Sequence, residues 1–141
     1  DPASHAAIKK TKRNSKMFEQ VGCAYVYFTY GMYYCINVVA RNEKFNAGAV
    51  LIRGIHPMQG IDIMKRNRKK TKIDNLVNGP GKLTQALNIS IKENGCDLTK
   101  YSSLYITNGI EIKKIHKKYR IGISKGTMKK WNFSIEENDY F

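Results

Sequence analysis

Two runs of aromatic and β-branched residues flank one glycine in the first third of the chain. They are Tyr25-Val26-Tyr27-Phe28-Thr29-Tyr30 and Tyr33-Tyr34-Cys35-Ile36-Asn37-Val38-Val39, with Gly31-Met32 between them. Such runs predict strands, and the glycine between them predicts a β-hairpin with Tyr30, Gly31 and Met32 near its tip. The polar segment Arg41 to Gly48 reads as a loop leading into a third strand, Ala49 to Ile55. After Pro57, the spacing of Met58, Ile61 and Met64 predicts a helix, followed by a basic loop over Lys65-Arg66-Asn67-Arg68-Lys69-Lys70. Pro80 near a start and the spacing of Leu83, Ala86 and Leu87 predict a short helix within Gly79 to Leu87. The tail returns to strand-like runs at Ser103 to Ile106, Tyr119 to Ile123 and Asn132 to Ile135. Strands at both ends with helices clustered between them argue for an α+β fold with a mostly antiparallel sheet.

Composition narrows the possibilities. The 141 residues form one domain by size. The longest apolar stretch, around Cys35 to Ala40, falls far short of the roughly 20 residues that a spanning helix needs. Lysine and arginine number 25 against 11 acids, a formal charge of +14, so a polyanion is the expected partner. Nucleic acid ranks above an anionic membrane because no long, Trp-anchored basic helix is present. A basic surface kept for solubility is the competing reading. Cys23, Cys35 and Cys96 form no CxxC pair and leave an odd count, which indicates neither a disulfide framework nor a zinc cluster and suits a reducing compartment. The first residues, Asp1-Pro2-Ala3-Ser4-His5, resemble neither a signal peptide nor an anchor, and the chain reads as beginning inside a domain.

Chemistry enters through a few positions. Residues 6 to 16 carry Lys9, Lys10, Lys12, Arg13 and Lys16, an exposed basic loop suited to phosphates or to a plain connector. Alternation puts Tyr25 and Tyr27 on one strand face and Val26 and Phe28 on the other, leaving one aromatic row for base stacking or for the core. Tyr30 and Met32 are bulky for a turn, where small polar residues are usual. A bulky tip can act as a wedge between base pairs, or it can be a packed loop or a subunit contact. Gly79-Pro80-Gly81-Lys82 lacks the spacing of a nucleotide-hydrolysing phosphate loop but can hold one DNA phosphate at a helix start. Arg53 in an apolar strand should face a carboxylate or a polar pocket. His5 taken alone is more often structural than catalytic.

Together these segments resemble a known family. Asp1-x-Ala3-Ser4-His5, the run Tyr25 to Val38, Val50-Leu51-Ile52-Arg53, Pro57, and Gly79-Pro80-x-Lys82-Leu83-x-Gln85-Ala86-Leu87 closely resemble, in order, the alkyladenine (3-methyladenine) DNA glycosylases of base-excision repair. The likeness resumes weakly at Arg120 to Ile123 and Trp131 to Phe133, while residues 89 to 118 resemble nothing placed. It implies a single mixed domain over 1–141, the C-terminal part of a glycosylase catalytic domain, with a curved antiparallel sheet, short helices and a protruding hairpin that enters the minor groove. It implies a monofunctional enzyme that flips a damaged purine from duplex DNA and hydrolyses its N-glycosidic bond without metal or cofactor, leaving an abasic site.

By the same resemblance Tyr30 intercalates, with Met32 beside it in the groove. Tyr27 and His5 stack on the flipped base, Asn37 crowds the 2-amino group of guanine, and Arg53 helps hold the attacking water. Lys12, Arg13 and Lys82 are the expected backbone contacts. The family's general base is a glutamate upstream of the position of His5, and it is not among these residues, so a lesion-recognising DNA-binding module without catalysis is the alternative reading. The implied protein is a monomer without membrane contact, placed in the nucleus if eukaryotic and otherwise in the cytoplasm. The Lys65 to Lys70 run also matches a nuclear import signal, as short basic runs do by chance.

Overall fold

A computed structural model describes residues 1–70 and 72–136. Its contacts divide the chain into two compact units, residues 10–106 and residues 1–9 with 107–141. The fold class is α+β, with antiparallel sheets and two short α-helices among the described residues.

The larger unit is built on the hairpin that the sequence predicts. Strand β1 (Ala24–Thr29) pairs antiparallel with β2 (Tyr33–Val39), and β2 pairs antiparallel with β3 (Ala49–Leu51). At the tip, Tyr30 has φ 51° and Gly31 φ 65°, and the Met32 N–H closes the turn on the Thr29 carbonyl at 3.1 Å. Left-handed residues at both centres match the right-handed twist of the flanking strands, the reason such turns favour Asn-Gly. Here a tyrosine occupies the first position, a conformation that costs an L-residue roughly 1–2 kcal/mol.

The β1 edge does not end the hydrogen-bonding. Asn94 accepts the Val26 N–H through its Oδ1 at 2.9 Å, the Ala24 N–H donates to the Cys96 carbonyl, and Cys23 bridges to Asp97. One face of the sheet carries the core: Ala24, Val26 and Ile36 pack with Leu83, Ile89 and Leu98. Helix α2 (Pro80–Ala86) supplies Leu83 and lies close on β2, where a Cβ on Gly81 would come within 2.9 Å of the Tyr33 side chain. It ends in a two-bond C-terminal cap. The Ile89 N–H bonds the Thr84 carbonyl and the Asn88 N–H the Gln85 carbonyl, with Asn88 left-handed at φ 55°. Helix α1 (Ile61–Arg68) packs Met64 against Leu76, Val77 and Ala86 in a second cluster.

Four expectations are corrected. Strand β3 stops at Leu51 instead of running to Ile55, because the chain peels away to bond Ile55 N–H to the Val77 carbonyl, with Gly54 pressed against the same carbonyl. Helix α1 begins after left-handed Gly60, which leaves Met58 outside and exposed, and it runs through Arg68, so Lys65 to Arg68 are helical and not a following loop. Basic side chains in a last turn complement the helix dipole. Ser103 to Ile106 forms no strand; Ile106 makes one backbone bond to Leu98. Tyr119 to Ile123 forms none either, since Gly122 turns left-handed at φ 77°.

The smaller unit holds a two-stranded sheet one step earlier, β4 (His116–Lys118) antiparallel to β5 (Asn132–Ser134). The strand expected near Asn132 is thus present. Arg120 clamps the chain start: its guanidinium donates to both Asp1 carboxylate oxygens, at 2.6 and 3.0 Å, and to the Gly126 carbonyl, while it lies over the Trp131 ring.

Candidate functional site

The sheet face opposite the core collects the polar side chains of the hairpin. Tyr25 lies directly across from Asn37, and Tyr27 across from Cys35, so strand alternation places all four on one side while Val26 and Ile36 face the core. The sequence expectation for Tyr25 and Tyr27 therefore holds as geometry. Its consequence needs correction, because Tyr25 is only 1% exposed and takes no part in an open aromatic row. Tyr27 is half-buried, with its ring centroid 5.4 Å from that of Tyr25. On the other face Phe28 is exposed and packs on Tyr34 at 5.0 Å.

Asn37 is buried, and its Nδ2 donates to the Tyr25 carbonyl at 2.9 Å, which fixes the amide across the strand pair. Leu51 of β3 pairs with Asn37 on the other side, and Arg53 follows two residues later, half-buried. Burial holds the Cys35 thiol above its ordinary value, while its hydrogen bond with Tyr27 and the charges of Arg53 and Arg13 oppose the shift. Arg53 thus stands close enough to this face to act on it electrostatically. Burial likewise pushes the Tyr25 hydroxyl up to about 12 and raises that of Tyr27, with Arg13 opposing both.

Arg13 is the member of the site that strand periodicity cannot find. Its guanidinium lies 5.2 Å from the Tyr27 ring centroid and donates to the Phe28 carbonyl at 3.3 Å. The basic segment carrying it is not uniformly exposed, since Asn14 is buried and exchanges hydrogen bonds with Thr11: the Thr11 N–H donates to Asn14 Oδ1 at 2.6 Å and the Asn14 N–H to Thr11 Oγ1 at 3.3 Å. That lock sits beside Lys12 and Arg13 and holds their backbone in place.

Tyr30, 82% exposed, and Met32, 65% exposed, form the hairpin tip. Lys82 Nζ donates to Asn78 Oδ1 at 2.8 Å and to Asn75 Oδ1 at 3.3 Å. His5 is exposed and belongs to the smaller unit, in a turn where Ser4 N–H bonds Asp1 and Ala7 N–H bonds Ser4. The grooves of the larger unit include two of different character. One of about 780 Å³ is lined by Phe18, Val21, Arg41 and Phe45 among others and includes none of the expected site residues. The other, about 280 Å³, runs from Met32 and Tyr33 to Asn88. Among the described residues no group of three or more His, Cys, Asp or Glu gathers to hold a metal, and no helix is long and apolar enough to cross a membrane.

The larger unit thus carries a hairpin with an exposed aromatic tip and a face of tyrosine, asparagine and arginine, in a chain of formal charge +14. Residues 1–139 match the family model described as methylpurine-DNA glycosylase. A protein of Prosthecochloris aestuarii named "Putative 3-methyladenine DNA glycosylase" is 49% identical over 142 residues, covering 99% of this chain and 67% of that protein. Proteins of the same name from Francisella tularensis and Carboxydothermus hydrogenoformans are 48% and 49% identical, covering 98% and 99% of this chain and 73% and 74% of their own lengths. On the family match over residues 1–139 and on this likeness to its relatives, the chain belongs to the methylpurine-DNA glycosylase family.

Proposed function

We propose that the chain recognises damaged purines in double-stranded DNA by flipping them from the stack, and that in a protein carrying the family's glutamate the flipped base is released by hydrolysis to leave an abasic site. The observation that carries this reading is Tyr30: an exposed aromatic side chain held left-handed at the end of a rigid two-stranded arm. Strained, exposed and apolar together are unfavourable for folding and useful for filling a gap in a base stack. Behind the tip, Tyr27 offers a ring for the flipped base, with Arg13 already on it. Asn37, fixed by Tyr25, presents a rigid amide that a guanine 2-amino group would crowd. Arg53 orients the attacking water.

The reaction joins water to the sugar carbon as the carbon–nitrogen bond to the purine breaks. One water proton goes to a general base, which the resemblance places in a glutamate upstream of His5; the purine leaves with the bonding electron pair, neutral where alkylation had made it cationic and otherwise taking up a proton, and no lyase step follows. A positioned base contributes about 10²- to 10⁴-fold. Arg53 cannot serve as that base, since a guanidinium stays protonated below about pH 12.

The family match spans both units, which supports one domain across 1–141, and the protein is expected to act as a monomer. The named relatives are all bacterial, which favours the cytoplasm over the nucleus for the DNA it meets. Lys12, Arg13 and Lys82 on the phosphates complete the reading. Lys82 would have to leave Asn75 and Asn78 to reach a phosphate. Titration of a hypoxanthine-containing duplex against its undamaged counterpart tests recognition. Tighter binding to the damaged duplex that falls to the undamaged level in Tyr30→Ala supports flipping; equal binding to both duplexes by the unaltered chain overturns it.

A further inference from the structure

The groove beside the hairpin tip differs in character from the rest of this basic chain. Its lining joins Met32 and Tyr33 of the hairpin to Asn67 of α1 and to Thr84, Gln85 and Asn88 of α2 and its cap, and it contains no charged side chain. A phosphate contact calls for cations. Carboxamides, by contrast, read the edges of bases, because one group both donates and accepts.

The amides are set in place to different degrees. The Asn67 Nδ2 donates to the Ala86 carbonyl at 2.9 Å, and the Gln85 Oε1 accepts from Arg68 at 2.6 Å, which leaves the Asn67 oxygen and the Gln85 amide hydrogens to spare. Asn88 is exposed, held left-handed by the cap of α2, and its side chain has no hydrogen-bond partner among the described residues. Thr84 bonds the Tyr34 carbonyl at 2.8 Å and Gly81 seats the Tyr33 ring, so the groove's two walls are tied together.

Resting on the reading that Tyr30 replaces a flipped nucleotide, we infer that this groove receives the base left unpaired on the complementary strand, with Asn88 and Gln85 engaging its freed edge. The wedge creates that orphan base, Met32 lines both the tip and the groove, and the uncharged lining fits a base edge better than a backbone. An orphan pyrimidine would then add to lesion affinity from outside the lesion pocket.

The test is a set of duplexes with hypoxanthine opposite thymine, cytosine or an abasic site, and one with adenine opposite thymine, titrated with the unaltered chain, Asn88→Ala and Gln85→Ala at fixed salt. The unaltered chain should bind the pyrimidine-opposed lesions about three- to ten-fold more tightly than the abasic-opposed one, the worth of one or two neutral hydrogen bonds. Asn88→Ala should lose most of that ratio while keeping its affinity for the abasic-opposed duplex. Binding that is indifferent to the opposite position, or a loss in Asn88→Ala that is equal on all three, overturns the inference. Absence of any preference for hypoxanthine over adenine would instead overturn the flipping reading on which it rests.

Discussion

Asn37 and Tyr25 face each other across the β1–β2 ladder, and the Asn37 amide donates to the Tyr25 carbonyl at 2.9 Å. The bond makes Asn37 a fixed part of the strand pair, so its position cannot relax to admit a larger base. Asn37→Ser shortens the side chain and should admit guanine-like bases. Relative affinity for duplexes carrying a damaged guanine against hypoxanthine should rise. The same change removes the side-chain donor that adds to the ladder bond on the Tyr25 carbonyl, and thermal unfolding should show a loss of about 0.5–1.5 kcal/mol.

Tyr30 should separate stability from function. Its left-handed backbone is poorly suited to tyrosine and well suited to asparagine or glycine. Tyr30→Asn should raise stability by about 1 kcal/mol by relieving that conformation, while preference for hypoxanthine-containing duplex is lost. Chemical denaturation and duplex titration on one preparation would check both; a destabilised Tyr30→Asn would show that the ring packs on the fold.

The buried tyrosines give a pH prediction with a definite sign. The Tyr25 hydroxyl is pushed up to about 12 by burial and that of Tyr27 is raised for the same reason, against an ordinary value near 10. Between these values the unfolded chain has released the protons and the folded chain retains them, so stability falls as pH rises above about 10. Ultraviolet titration should show two of the nine tyrosines ionising only as the fold is lost. Their titration with the rest, fold intact, would contradict the burial of this face.

Much of this was legible beforehand because strand period is simple. The hairpin, its tip and the common face of Tyr25 and Tyr27 follow from alternation and one glycine, and so does the short helix α2 from Pro80 and the leucine spacing. What escaped was set by contacts distant in sequence. Tyr25 is buried although its strand pattern reads like that of Tyr27, β3 stops because Ile55 finds Val77, and the strand near Tyr119 shifts to His116 because Gly122 turns. Arg13 on the Tyr27 ring joins residues fourteen apart in different local structures, and no local pattern encodes that. For the site, the family resemblance and not residue type alone pointed to Tyr27, Asn37 and Arg53, and the register explains why an asparagine is tolerated: it faces away from the core.

The charge should act through phosphates. Log affinity for duplex should fall linearly with log salt, with a slope of about −0.9 per phosphate neutralised. Arg13→Gln should reduce that slope by roughly one unit and also weaken discrimination of the lesion, since Arg13 touches Tyr27 as well. Lys12→Gln should reduce the slope alone. A flat salt response would assign the basic surface to solubility.

Catalysis is the most direct test. Single-turnover release of hypoxanthine from duplex DNA should be measured for the 141-residue chain and for a chain extended upstream through the glutamate that the family places before His5. The account predicts that the extended chain releases free base and leaves an intact strand with an abasic site, while residues 1–141 alone release it at least about 10²-fold more slowly for want of a positioned base. Rapid release by the 141-residue chain would show that another carboxylate serves as the base, and no release by the extended chain would contradict the assignment of hydrolysis altogether.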